Sequence, residues 1–160
     1  MRRYRTCSAE ETASFGEALG GVLRGGDQVL LSGDLGMGKS VLARGIARAW
    51  GVSGPMPSPT FTLLALYETA RGTLCHYDLY RLEDPEEFFQ AGLDEYWFGG
   101  TLCLTEWPMP ELDFPEPVLR IGMARGESFD SREIELETAG LAPQREEGIR
   151  RALEKWEAER

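Results

Sequence analysis

The stretch GDLGMGKS, Gly33 to Ser40, constrains this chain more than any other. It satisfies the pattern G-x-x-x-x-G-K-[ST] at Gly33, Gly38, Lys39 and Ser40. The context that pattern needs is also present. Val29, Leu30 and Leu31 read as a buried strand before it, and Ser40 to Trp50 reads as a helix after it. Strand, glycine loop and helix in that order predict a phosphate cradle, supplied by Gly33, Asp34, Leu35, Gly36, Met37, Gly38, Lys39, Ser40 and Val41. Glycines let the backbone curl so that its amides face one point, Lys39 offers a cation to the outer phosphates, and Ser40 offers an oxygen to Mg²⁺.

At 160 residues and 42% hydrophobic content, the chain has the size of one compact domain, expected to span 1–160. Ser8 and Glu11 predict a capping box at the start of a first helix whose apolar face carries Phe15, Leu19 and Val22 or Leu23. Gly45, inside the second helix, either permits close packing or weakens it. The three prolines of GVSGPMPSPTF exclude regular helix there. TLLALYET and TLCHYDLY read as strands joined by a turn, and TLCLTEWP as a buried strand ending in Glu106. Between them Asp84, Pro85 and Glu87 predict another boxed helix start. PVLRIGMARG and REIELETAG read as an antiparallel pair, which makes the sheet mixed, and a terminal helix is expected at about 143–158 with a stripe of Ile149, Ala152, Leu153 and Trp156.

A formal charge of -10, with no concentrated basic tract, argues against an extended electrostatic grip on nucleic acid. MRRYR reads as a solvated strand edge. No apolar stretch approaches the roughly 20 residues that span a bilayer, and the first residues lack the apolar run of a secretory signal, so the expected compartment is the cytoplasm. Cys7, Cys75 and Cys103 are expected as buried or partly buried free thiols.

A phosphate site needs its metal managed. Glu106 and Asp78 both stand at the ends of apolar strands and could converge at one sheet edge. Either could hold metal or polarise water, although a solvated strand end for Glu106 and a turn cap for Asp78 are the plain alternatives. His76 shares a strand face with Asp78 and reads equally as a structural histidine. Thr60, and more weakly Ser58, could be presented to a terminal phosphate by the proline-framed loop, which could also be a rigid connector. Trp107 could stack on a base, mark a partner surface or pack at an edge. No Asn-Lys-x-Asp guanine reader is present, which favours adenine by default.

GDLGMGKS, PSPTFTLL, HYDLYRLEDPEEF and LCLTEWP, in this order from about Gln28 to Pro108, closely resemble the bacterial TsaE (YjeE) family, the ATPase component of tRNA threonylcarbamoyladenosine (t6A) biosynthesis. The resemblance implies a three-layer α/β fold of the P-loop NTPase type, with a mixed, mainly parallel central sheet and a C-terminal antiparallel strand pair. It implies binding of ATP and Mg²⁺, weak hydrolysis alone, and association with TsaD and TsaB, whose complex modifies adenosine 37 of tRNA, so that tRNA is reached through the complex. By the same resemblance Lys39, Thr60, Asp78 and Glu106 are the catalytic candidates, and Ser40, Asp78 and Glu106 the metal candidates. Ser40 stands where many members have threonine and keeps the ligand oxygen, and Met37 stands where alanine is frequent. A small-molecule kinase, with Arg145, Arg150 and Arg151 as a lid, and a nucleotide-controlled interaction module remain the rival readings.

Overall fold

Alternation along the strands decides the architecture. Val29 and Leu31 face one buried cluster while Leu30 faces another, and Leu102 and Leu104 part from Cys103 in the same way. Strands apolar on both faces need cover on both, and the chain supplies it. The computed structural model describes residues 1–159. The strands are β1 (Arg2–Thr6), β2 (Gln28–Ser32), β3 (Leu64–Thr69), β4 (Gly72–Asp78), β5 (Leu102–Glu106), β6 (Val118–Arg125) and β7 (Arg132–Ala139). The helices are α1 (Ala9–Val22), α2 (Lys39–Ala49), α3 (Pro85–Gln90) and α4 (Pro143–Leu153), with 3₁₀ turns at Leu93–Trp97 and Glu154–Trp156.

The sheet runs β1-β7-β6-β2-β5-β4-β3. Its centre, β4, β5, β2 and β6, is parallel, and β3, β7 and β1 are antiparallel additions. Phe15, Leu19, Leu42, Ile46, Ile149 and Leu153 pack α1, α2 and α4 on one face, while Phe88, Leu93, Trp97 and Phe114 cover the other. This is the three-layer α/β arrangement of P-loop NTPases that the resemblance implies. MRRYR is the outer strand as expected, with Arg5 paired to Glu133 at 2.8 Å. Among the described residues no helix is long and apolar enough to cross a membrane.

Four local expectations are corrected. Ser8 caps the Glu11 amide (3.1 Å), but the Glu11 carboxylate accepts from Cys7 N at 2.7 Å rather than from Ser8, because the chain enters α1 directly from β1. At α3 the Asp84 carboxylate accepts from Glu86 N (2.9 Å), and Glu87 does not close a box. Cys75 and Cys103 are buried free thiols, whereas Cys7 is exposed in the short β1–α1 link. The terminal helix also ends earlier than expected, its last turn tightening to 3₁₀ at Trp156, whose ring meets Phe15 edge-on.

Gly45 resolves as a close-packing residue. A Cβ on Gly16 would lie 2.5 Å from the Leu42 carbonyl, one on Gly20 would lie 2.5 Å from the Ile46 carbonyl, and one on Gly45 would overlap the Ala13 carbonyl. α1 and α2 thus touch backbone to backbone, which seats the start of α2 firmly. Gly148 in α4 has open space at the same position. Gly45→Ala is therefore expected to destabilise by about 1–3 kcal/mol through overpacking, and Gly148→Ala to stabilise by about 0.5–1 kcal/mol through helix propensity. Thermal melts of the two variants should move in opposite directions.

Candidate functional site

The loop after β2 turns through Gly36 (φ 81°) and Gly38 (φ 99°), left-handed backbone that glycine adopts without a Cβ penalty. Gly38 precedes the first turn of α2, and no side chain caps that helix. Its leading amides are left to an outside acceptor, and the helix dipole favours an anion there. A cavity of about 420 Å³ opens in front of them, with Lys39, Ser40, Thr60, Asp78, Glu106 and Trp107 in its walls. That is the size of a small-ligand site.

The two carboxylates converge because of strand register. Parallel pairing of β4 with β5 sets Asp78 directly beside Glu106, at the carboxyl edge where ligands of open α/β sheets bind. Both are buried, at 4% and 2% exposure, and like charges so placed repel unless hydrogen bonds compensate. Asp78 accepts from Ser58 Oγ and Thr60 Oγ1 at 3.0 Å each on one oxygen, and from Tyr80 N at 3.0 Å on the other. Glu106 is held by Ser40 Oγ on Oε1 (2.9 Å) and by His76 Nε2 on Oε2 (2.6 Å). The buried Nδ1 of His76 has no partner among the described residues, and against an ionised Glu106, which only accepts, the ring proton would sit on Nε2. The solvated strand end is set aside because Glu106 is buried, whereas the turn cap is present, Asp78 accepting from Tyr80 N while its other oxygen anchors the 58–60 loop.

Lys39 Nζ donates to the Gly33 carbonyl and to the Asp34 carbonyl at 2.9 Å, and lies 4.0 Å over the Trp107 ring. Burial lowers its pKa, an effect opposed by Glu106, Asp34 and Asp78. A cation desolvated in this way interacts strongly with any anion that enters. Trp107 adopts φ 56°, a left-handed backbone that costs a non-glycine residue about 1–2 kcal/mol. The turn brings its ring between Lys39 and Tyr80, whose centroid is 4.9 Å away.

Of the residues expected in the cradle, Leu35, Gly36, Gly38, Lys39, Ser40 and Val41 line the cavity. Gly33 and Asp34 contribute carbonyls to Lys39, and Met37 turns its side chain into the core. Ser58 and Thr60 both reach Asp78, so the proline-framed loop is tied to the site and is not a mere connector. His76 joins through Glu106. Tyr80, which is not among the site candidates, lies in the turn just after β4, lines the cavity and donates its amide to Asp78. The lid suggested for a kinase does not form. Arg145 makes two 2.7 Å bonds to buried Asp27 at the opposite end of the sheet, and Arg150 and Arg151 pair with Glu147.

Comparison with known proteins gives a consistent result. The family model for "Threonylcarbamoyl adenosine biosynthesis protein TsaE" matches residues 6–134. The chain is 37% identical over 139 residues to the tRNA threonylcarbamoyladenosine biosynthesis protein TsaE of Bacillus subtilis (strain 168), covering 86% of each chain. It is 43% identical over 100 residues to the protein of the same name from Treponema pallidum (strain Nichols), covering 62% of this chain and 73% of that one. Its fold superposes on the crystal structure of Bacillus subtilis YdiB with a TM-score of 0.73 at 32% identity, over 96% of this chain and 93% of that one.

Proposed function

The chain belongs to the TsaE family, whose place is in tRNA t6A biosynthesis, and from that premise we propose that it is the ATP-binding and hydrolysing component of that machinery. Its nucleotide cycle supports repeated turnover of a TsaB and TsaD complex that carries out the threonylcarbamoyl transfer. The observation that carries this reading is the convergence of Lys39, Ser40, Asp78 and Glu106 on one cavity at an uncapped helix start. The unit is the whole chain, 1–160, taken as a single domain.

Lys39 is the phosphate cation. It exchanges the carbonyls of Gly33 and Asp34 for phosphate oxygens of greater charge. No cluster of three or more His, Cys, Asp or Glu side chains forms a metal cage among the described residues. One hydroxyl and two carboxylates beside a phosphate cradle instead suit Mg²⁺, which is bound by one or two carboxylates together with substrate phosphates. Ser40, flanked by Glu106 and Asp78, would hold the ion, which when bound neutralises charge developing on the phosphates. Glu106 is the residue assigned to water. Its Oε1 is engaged by the Ser40 hydroxyl alone, whereas both Asp78 oxygens are spent on Ser58, Thr60 and the Tyr80 amide. His76 fixes the other Glu106 oxygen, and Asp78 orders the loop that carries Thr60 toward the cavity.

A charge of -10 fits a protein that acts on tRNA through its partners. The engagement of Arg145, Arg150 and Arg151 elsewhere weighs against the kinase. Phosphate release from ATP, measured alone, with TsaB and TsaD, and with phosphorylatable metabolites, tests the reading. Stimulation by the two proteins is expected. ATP consumption that tracks a phosphorylated metabolite and ignores them would favour the kinase.

A further inference from the structure

The glycine-rich loop is braced from behind by a side chain that no motif marks. Arg132 opens β7, where strand alternation places it on the face of Ile134 and Leu136, both in the core beneath α1 and α2. Beyond that core its guanidinium meets the loop. Nε donates to the Met37 carbonyl (2.9 Å) and Nη2 to the Gly36 carbonyl (3.4 Å), while Nη1 donates to the carbonyls of Phe129 and Ser131 (2.8 Å each). Arg132 is not among the residues that line the cavity. The end of β6 supports the same loop, since a Cβ on Gly33 would lie 2.6 Å from the Met123 carbonyl.

We propose that Arg132 is a positioning residue for the phosphates of a nucleoside di- or triphosphate, acting through the loop backbone; the proposal rests on reading the cavity as a nucleotide site. In a trans peptide the carbonyl and the following N–H point in opposite directions. Holding the Gly36 and Met37 carbonyls against Arg132 therefore fixes the planes that carry the Met37 and Gly38 amides, with the Gly38 N–H directed away from Arg132. Gly36 and Gly38 would otherwise leave this segment the softest part of the site. The rigid fork of arginine sets two carbonyls at once and lowers the ordering cost that a ligand would bear. A lysine keeps the charge and loses the fork.

The test uses the full chain with Arg132→Lys and Arg132→Gln, and Lys39→Ala in parallel. Amide hydrogen exchange at Gly38 is followed without nucleotide, and binding of MgADP and MgATP is measured by calorimetry. Both Arg132 variants are expected to exchange about tenfold faster at Gly38 and to bind both nucleotides about tenfold more weakly, Arg132→Lys nearly as much as Arg132→Gln. Wild-type exchange and affinity in Arg132→Lys would overturn the proposal, and this variant decides alone if Arg132→Gln does not fold. Unchanged binding in the Arg132 variants beside a loss in Lys39→Ala would overturn the brace and leave the nucleotide site standing. A wild-type chain that binds neither nucleotide would overturn both.

Discussion

Lys39→Ala is expected to weaken MgATP binding about a hundredfold while leaving the chain folded. In the free protein Lys39 is 5% exposed, and its ammonium is satisfied by two loop carbonyls and the Trp107 face. Burial already disfavours its charge, so its removal relieves a desolvation cost at the same time as it frees two carbonyls. The two effects on stability oppose each other. Nothing offsets the loss once phosphate is present, because a buried, partly dehydrated cation gains most from an incoming anion. Calorimetry with ATP, together with a melt of the same sample, separates the two quantities. Wild-type affinity in this variant would remove Lys39 from the site.

Glu106→Gln should have the opposite signature, near-normal affinity and lost hydrolysis. The amide is isosteric, and it can still accept from one neighbour while donating to the other in the space between Ser40 and His76. What it cannot do is take a proton from water. A fall of about 10²–10⁴ in the hydrolytic step is the usual cost of losing a positioned base. Asp78→Asn is the comparison. Its amide can keep its oxygen on the Tyr80 N–H and turn its NH₂ to the Ser58 and Thr60 hydroxyls, but both hydroxyls must then reverse from donating to accepting and the charge that strengthened their bonds is lost, so the 58–60 loop should loosen and affinity should fall together with rate. Equal hydrolysis by wild type and Glu106→Gln at matched nucleotide occupancy would take Glu106 out of the reaction.

The sequence was informative where function depends on local order. Lys39 and Ser40 are set by a loop and a helix contiguous in the chain, and Asp78 and Glu106 stand at strand ends that apolar runs announce. Their adjacency was only a possibility until β4 and β5 paired in register, because strand order is set by the packing of both faces and not by any one segment. The His76–Glu106 bond depends on that same register. Gly45 could be flagged, but the role of Gly16 and Gly20 could not, since an approach between backbones belongs to two helices at once. Arg132 was invisible for a different reason. It acts on carbonyls, which every residue has, and REIELETAG reads as an ordinary alternating strand.

Multiple turnover of the partner complex tests a hydrolysis-driven function most directly. TsaB, TsaD, tRNA, a threonylcarbamoyl donor and ATP are combined with the wild-type chain, with Glu106→Gln, or with neither, and t6A formed per partner complex is counted. Many rounds with the wild-type chain are expected, and about one with Glu106→Gln or without the chain. As many rounds with Glu106→Gln as with wild type, or no gain from the wild-type chain when the partners are active, would contradict a function driven by hydrolysis in this cavity.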